Sequence, residues 1–199
     1  MTSFGNFLFS SAAKSLKIWD LNTMQYISDL PEKIGLVKCM QYWEEKNLLL
    51  TASEKTVTMW SVVDLTIAGT IKTNLKDEIK CMELVGSKLF LGTKGTATSN
   101  GLLIYDLKGK NSSVFEERAK DQDIFSLKAT QSHIYLGCRN HYVYPVDIKT
   151  LSMMNPLTPP HFDAVTALAL MGSQTLVSGS KDKNLRSYRV DSTGPYFEH

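Results

Sequence analysis

The stretch HFDAVTALALMGSQTLVSGSKDKNLRSYRV, residues 161–190, contains three short apolar runs separated by two polar turns. Residues 165–170, 175–180 and 185–190 each have the length and the alternation of a β-strand. Residues 172–174 and 181–184 have turn composition. A sheet this small has an apolar face that it cannot bury by itself, so the stretch predicts further copies of the same unit.

The rest of the chain repeats this pattern at intervals of about 40–45 residues. The third run of each copy contains one anchor residue, and these anchors are Trp19, Trp60, Tyr105, Val146 and Tyr188. The predicted repeats are residues 5–30, 36–71, 78–115, 124–155 and 161–199. We expect the first repeat to lack its innermost strand. Residues 193–199 are either the outermost strand of the last repeat or a segment foreign to it.

A period of this length with three or four strands per copy is typical of a propeller blade. The sequence here resembles the WD-repeat family, since Trp19-Asp20 is the dipeptide that names it and residues 178–182, SGSKD, match its second-strand motif. The resemblance implies an all-β fold, a single WD-repeat β-propeller domain over residues 1–199 with about five four-stranded blades. Because such rings usually have seven blades, we expect part of a seven-bladed ring or an incomplete propeller. An open blade flank would favour self-association.

Composition and charge limit the classes of protein to which this chain can belong. The 199 residues are 43% hydrophobic and 21% charged, as in a folded protein, and the net charge of +2 is too small to argue for a nucleic-acid partner. The apolar runs are short and the first residues lack a signal-peptide pattern, so we expect a cytoplasmic protein without membrane insertion. The three cysteines are far apart, which favours reduced thiols, and no metal or cofactor is expected.

His161, Ser178 and Asp182 are the residue types of a hydrolase triad, but the family resemblance implies a different role. In WD repeats the His, Ser and Asp of one blade join an aromatic residue in a buried hydrogen-bond network, and Tyr188 takes that aromatic position here. Such a network stabilises a fold when all its members are satisfied. We therefore predict a structural network, no catalytic residues and no enzymatic activity.

The predicted turns between second and third strands each contain a basic residue. In a propeller these turns share one face with the connections between blades, so their charges can sum into a ring that attracts acidic peptides. The alternative is that exposed turns are simply polar, and Glu54 and Asp182 dilute the positive charge. The candidate partner-binding residues are Lys14, Lys55, Lys94, Arg139, Lys181 and Lys183.

Residues 140–185 resemble a narrower group. The run Asn140-His141-Tyr142-Val143 and the run Pro159-Pro160-His161-Phe162-Asp163 are similar to the C-terminal WD-repeat tail of kinesin-4-type motor proteins. This resemblance implies a non-catalytic protein–protein interaction module that acts as a cargo, cortical or microtubule adaptor, with microtubule-associated partners and a cytoskeletal location. The alternative function is a substrate-receptor or scaffold subunit of another multiprotein complex, such as a ubiquitin ligase.

Overall fold

The computed structural model describes residues 1–12, 15–30, 35–73, 78–95, 100–108, 114–120, 122–191 and 194–197. The chain divides into two compact units, Met1–Met82 and Glu83–His199. Within the described ranges the regular structure is β-strand throughout, apart from one short 3-10 turn at Glu44–Lys46. The prediction of an all-β fold is confirmed.

The first unit contains two four-stranded antiparallel sheets whose strands follow one another in sequence order. The first sheet consists of β1 (Thr2–Phe4), β2 (Phe7–Ala12), β3 (Ser15–Asp20) and β4 (Gln25–Asp29). The second sheet consists of β5 (Val37–Trp43), β6 (Leu48–Ser53), β7 (Thr56–Ser61) and β8 (Thr66–Lys72). Such a meander needs only tight turns between its strands.

The first sheet has an innermost strand, so the expectation that this repeat lacks one is wrong. Strand β1 pairs with β2 in a register that sets Ser3 opposite Leu8. The two strands are joined by Gly5-Asn6, and Gly5 has a φ of +53°, a left-handed conformation that glycine adopts without steric strain. Three residues are too few to show a strand periodicity, which explains why the pattern alone missed β1.

The core of the first unit lies between its two sheets. Phe9, Leu16 and Ile18 of the first sheet form one buried cluster with Leu49 and Trp60 of the second. These buried residues of β2 and β3 alternate with half-buried ones, so each strand turns one face toward the neighbouring sheet. Burying this apolar surface supplies the main favourable free energy of sheet stacking.

The second unit contains most of the third sheet and the whole of the fourth and fifth. The third sheet consists of β9 (Cys81–Val85), within which the division between units falls, β10 (Lys88–Gly92), β11 (Asn100–Asp106) and β12 (Val114–Lys120). The fourth consists of β13 (Ile124–Ala129), β14 (His133–Cys138) and β15 (Val143–Asp147). The fifth consists of β16 (Val165–Met171), β17 (Thr175–Ser180), β18 (Leu185–Asp191) and β19 (Gly194–Phe197).

Two further expectations about strands are settled in this unit. The fourth sheet has three strands rather than four, and the place of an outermost strand is taken by a single bridge between Val146 and Met153. Leu151, just before that bridge, has a φ of 56°, which is incompatible with extended backbone. In the fifth sheet β19 pairs with β18, so its residues belong to the repeat.

Burial differs among the strands β6, β14 and β16. Every residue of β14 is buried, and the interior of β6 is buried on both faces. In β16 the pattern alternates, because Leu168 and Leu170 are half-buried while Ala167, Ala169 and Met171 are exposed. Within the second unit, β14 is thus buried on both faces, whereas β16 has only one face covered.

Candidate functional site

Two anchor tryptophans hold their sheets together through the same hydrogen bond. Trp19 Nε1 donates to Ser10 Oγ at 2.7 Å, and Trp60 Nε1 donates to Thr51 Oγ1 at 3.0 Å. In both sheets the hydroxyl lies two residues beyond the residue directly opposite the indole, so both side chains lie on one face. The bond therefore ties the second strand of each sheet to the third.

The five predicted anchors differ in burial and in their partner on the second strand. Trp60, Tyr105, Val146 and Tyr188 are at most 2% exposed, whereas Trp19 is half-buried. In the third and fourth sheets the position of the hydroxyl is taken by Leu91 and Leu136, and the anchors there are Tyr105 and Val146. In both pairs a Ser or Thr lies nine residues before the Trp, so the sequence contains a pattern that predicts this hydrogen bond. The spacing of the anchors alone did not reveal it.

The structure brings His161, Ser178 and Asp182 into direct contact within the fifth repeat, and Tyr188 joins them through a hydrogen bond with Ser178. His161 Nδ1 lies 2.9 Å from Asp182 Oδ2, and His161 Nε2 lies 2.7 Å from Ser178 Oγ. Because a carboxylate can only accept, Nδ1–H donates to Asp182. In the neutral ring Nε2 then accepts the Ser178 hydroxyl proton. His161 thereby joins the connection before β16 to β17 and to the turn that follows it.

Asp182 is the most heavily hydrogen-bonded member of this network. Burial disfavours its charged form, but the backbone N–H groups of Phe162 and Asn184 and the His161 ring all donate to it. These donors outweigh the burial and hold the pKa of Asp182 well below its usual value. Asp182 is therefore an ionised acceptor at neutral pH, and it fixes both the turn and the preceding connection.

Tyr188, the fourth predicted member, makes a bond that was not predicted. Its hydroxyl donates to the Pro159 carbonyl at 3.0 Å. Burial raises the pKa of the Tyr188 hydroxyl, and this effect is larger than that of the hydrogen bond with Ser178, which lowers the pKa. The phenol thus also contacts the segment before the fifth repeat, at Pro159. No sequence motif predicts this contact.

Burial argues against a nucleophilic role for this Ser–His–Asp set. Ser178 is 0% exposed and His161 is 2% exposed. An attacking hydroxyl needs a site about 3 Å away where a substrate atom can lie, and here the surrounding space is filled by protein. The arrangement instead satisfies buried polar groups, which rigidifies the region.

Backbone hydrogen bonds connect the turns to the inter-blade connections. Within the first unit, Ile79 N donates to Glu54 O at 2.7 Å. Within the second, Ile124 N donates to Thr93 O at 3.0 Å and Lys181 N donates to Ala164 O at 3.0 Å. These bonds involve only main-chain atoms, so they hold the turn backbone whatever side chain the turn carries.

The second unit presents four predicted basic residues on exposed turns, which we call the basic row: Lys94, Arg139, Lys181 and Lys183. Lys94 forms a backbone bridge with Asp123, and Asp123 Oδ2 lies 3.9 Å from Arg139 Nη1. Lys181 Nζ lies 5.8 Å from the centre of the Phe125 ring. The first three are thus linked through residues at the start of β13, and Lys183 follows in the same turn as Lys181.

The other two predicted basic residues belong to the first unit. Lys55 is exposed, and its carbonyl accepts from Thr73 N at 2.9 Å and from Thr73 Oγ1 at 2.6 Å. Lys14 lies outside the described residues. A complete ring of basic turns therefore stays a prediction, and the geometric argument rests on the basic row.

A depression of about 940 Å³ lies at the opposite edge of the second unit, where the turns after β9, β13 and β16 meet. Its most buried charged side chain is Glu83, whose Oε1 accepts from Lys128 Nζ at 2.9 Å and from Ala129 N at 3.3 Å. The carboxylate thus joins β9 to β13, which is a packing role.

Metal ligation and membrane crossing find no support in the described part of the chain. No three His, Cys, Asp or Glu side chains there gather into a metal site. None of its helices has the length and apolarity to cross a membrane.

The comparison with solved structures decides the fold. The β-propeller domain of Myceliophteria thermophila Cps50 (Swd1) matches with a TM-score of 0.77 at 16% identity, covering 94% of this chain and 63% of that domain's chain. The chain has a β-propeller fold. The five sheets described above are its blades, and the hydrogen-bonded hydroxyl, indole and imidazole groups lie within individual blades.

Sequence comparison adds the kinesin resemblance. The chain is 24% identical to the Homo sapiens kinesin-like protein KIF21A over 211 residues, which is 89% of this chain and 12% of that protein. It is 23% identical to the Homo sapiens kinesin-like protein KIF21B over 210 residues, or 91% of this chain and 13% of that protein. No protein-family profile matches the chain. The predicted resemblance to kinesin-like proteins is confirmed, and it extends well beyond residues 140–185.

Proposed function

We propose that this propeller is a non-catalytic protein-interaction module and that its basic row binds acidic segments of a protein partner. The observation that carries the proposal is the exposure of four cationic side chains on turns whose backbone is already fixed. A partner that binds there does not have to order those turns, so less of the binding free energy is lost to conformational entropy.

The neighbouring acidic groups do not cancel this positive row. Asp182, which lies between Lys181 and Lys183, has a side chain only 6% exposed and is committed to His161 and two backbone donors. Asp123 is 12% exposed and reaches Arg139 only at 3.9 Å, while Arg139 itself is 70% exposed. A surface pair this long contributes about 0–1 kcal/mol, so a partner carboxylate can compete for Arg139.

An exposed aromatic ring beside the row adds an apolar contact. Phe162 is 84% exposed, and its backbone N–H is bound by Asp182. The guanidinium of Arg186 lies 5.7 Å from the centre of the Phe162 ring. Aromatic and arginine side chains carry much of the energy of protein interfaces, so the preferred partner has an apolar residue next to its acidic ones.

The kinesin-like resemblance supports a finer role as a cargo or microtubule adaptor, in the cytoplasm and on the cytoskeleton. The chain spans 12–13% of the length of the kinesin-like relatives. Microtubule-associated partners fit the chemistry of the row insofar as they present acidic segments. The basic row then determines which partner the module holds.

The test compares two triple variants that change net charge equally. The first is Lys94→Glu, Arg139→Glu and Lys181→Glu. The control reverses three exposed lysines on turns at the other edge of the sheets: Lys46, Lys108 and Lys149. Binding to a fluorescent peptide of alternating Glu and Phe and co-sedimentation with assembled microtubules are both measured between 50 and 300 mM salt, concentrations chosen to vary screening.

We expect the first variant to bind the peptide at least about tenfold more weakly and to lose most of its salt dependence, while the control retains both. Microtubule binding lost in the first variant alone supports the adaptor role. Equal loss in the two variants indicates nonspecific charge attraction and overturns the proposal, as does unchanged peptide binding in the first.

A further inference from the structure

Arg186 of the fifth sheet carries a guanidinium whose hydrogen-bonding capacity is not used up within the described residues. The side chain is half-buried, and its Nε–H is shielded from solvent without an acceptor in that part of the chain. The ion pairs found there involve other side chains. A charged donor that has lost part of its hydration without gaining a hydrogen bond is unfavourable, so Arg186 is poised to bind an acceptor from outside.

Arg186 lies on the side of the fifth sheet that the fourth sheet already covers. On β18 it is directly opposite Ser178 of β17. Tyr188, two residues further along β18, packs with Leu176 and with Tyr135 of the fourth sheet in one buried cluster. Residues two apart on a strand, and residues directly opposite each other, lie on one side of a sheet. The surroundings of the guanidinium are therefore set by the fourth and fifth sheets and the connection between them.

The ring of Phe162 lies next to this guanidinium at the surface. Its centre is 5.7 Å from Arg186 Cζ, a distance at which a cation and an aromatic face attract each other. Phe162 is 84% exposed, whereas its backbone N–H donates to Asp182 Oδ2 at 2.9 Å. The exposed ring is thus presented on a fixed backbone, and we call Arg186 and Phe162 the Arg–Phe pair.

The acidic residues nearest to the Arg–Phe pair in sequence are bonded to other donors. Asp182 accepts from the His161 ring and from two backbone N–H groups. Asp163, directly after Phe162, accepts through Oδ1 from the N–H of Ala164 at 2.6 Å. Neither carboxylate forms an ion pair with the guanidinium. A carboxylate of a partner can therefore bind there without displacing an internal one.

We propose that the Arg–Phe pair selects, among acidic partners, those with an aromatic residue near a Glu or Asp, an inference that rests on the proposed function. The Arg186 guanidinium binds the partner's carboxylate, and Phe162 packs against the partner's aromatic ring. An arginine fork suits a carboxylate better than an ammonium does because it donates two parallel hydrogen bonds. Since Arg186 is already partly dehydrated and stands on a strand, this contact costs less hydration and ordering than one made by the exposed lysines.

Salt distinguishes the Arg–Phe pair from the basic row. The row acts through the summed charge of exposed cations, which salt screens. Arg186 acts through directed hydrogen bonds, so a lysine in its place keeps the charge and loses the geometry. We therefore expect Arg186→Lys to weaken peptide binding about tenfold while the slope of affinity against salt concentration stays unchanged. Reversal of the row, by contrast, lowers that slope.

The test uses a pair of fluorescent peptides of equal charge, one of alternating Glu and Phe and one of alternating Glu and Ser. Binding of each is measured for the unaltered chain, for Arg186→Lys and for Phe162→Ser over the same range of salt concentration, and thermal unfolding checks folding. The control is Arg189→Lys, the same chemical change at a half-buried residue on the other side of the same strand. The triple reversal of the basic row is measured in parallel.

We expect the unaltered chain to prefer the Glu–Phe peptide about fivefold, and Phe162→Ser to lose this preference. Arg186→Lys should bind both peptides about tenfold more weakly, while Arg189→Lys binds them like the unaltered chain. Unchanged affinity in Arg186→Lys, an equal loss in Arg189→Lys, or a preference that survives Phe162→Ser overturns the inference. The proposed function survives any of these results if reversal of the row still weakens binding, whereas an unaltered chain that binds neither peptide overturns both.

Discussion

Replacing Thr51 with valine tests the indole–hydroxyl bond within a buried blade. The change swaps a hydroxyl for a methyl of similar size, at a residue 2% exposed, and removes the acceptor of Trp60 Nε1. Trp60 is 0% exposed, so its N–H would be left in the interior without water. An unpaired buried donor of this kind costs about 1–3 kcal/mol.

The first sheet supplies a matched comparison inside the same unit. Ser10→Ala removes the acceptor of Trp19 Nε1, but Trp19 is half-buried and its N–H can bind water instead. We therefore expect this change to cost at most about 1 kcal/mol, the net value of an ordinary hydrogen bond. The difference between the two variants isolates the effect of burial.

Thermal unfolding and urea titration measure both losses. For a chain of this size each kcal/mol corresponds to about 2–4 °C in Tm, so Thr51→Val should lower Tm by roughly 2–12 °C and Ser10→Ala by less than about 4 °C. Thr66→Val, the same chemical change at an exposed strand position, should leave Tm nearly unchanged. Equal losses for Thr51→Val and Ser10→Ala would refute the argument from burial.

Three further outcomes are expected. Ser178→Ala leaves the His161 ring nitrogen buried without its partner and should reduce the free energy of unfolding by about 1–3 kcal/mol without altering peptide binding, as urea titration and the peptide assay would show. The pKa of Asp182 is lowered in the folded state, so its contribution to stability is present above the ordinary Asp value of about 3.9 and is lost as pH falls through and below it. Asp182→Asn should therefore flatten the decline of Tm below about pH 5, and an unchanged acid profile would contradict this. Burial raises the pKa of Cys39 and of Cys138 to about 12, so both thiols should resist iodoacetamide at pH 8 until urea unfolds the chain, with mass spectrometry as the readout.

The repeat pattern was sufficient to predict the fold because its anchors lie at equivalent positions of successive sheets. Trp19, Trp60 and Tyr188 each stand on the third strand opposite a leucine of the second, a register that β-pairing repeats in every copy. Strand β1 was missed since it is three residues long, and the outermost strand of the fourth sheet was wrongly expected because a left-handed Leu151 interrupts the extended chain.

The site was only partly predictable, for a reason that lies in the type of contact. Side chains that bond to one another, such as His161 with Asp182, leave a residue pattern in the sequence. Bonds to main-chain groups, such as Tyr188 to the Pro159 carbonyl or Phe162 N–H to Asp182, leave almost none, since every residue offers the same backbone atoms. The cationic residues of the basic row could be predicted from the sequence. The burial of Asp182, which keeps its carboxylate from neutralising them, could not.

The main-chain bonds from Ile79 to Glu54 and from Ile124 to Thr93 have an evolutionary consequence. Since these bonds fix the path of the loops without using any side chain, mutations can change the side chains that the turns expose while the protein stays folded. Libraries randomised at Lys55, Lys94 and Arg139 should accordingly yield a high fraction of folded members, and new recognition specificities can arise there by drift.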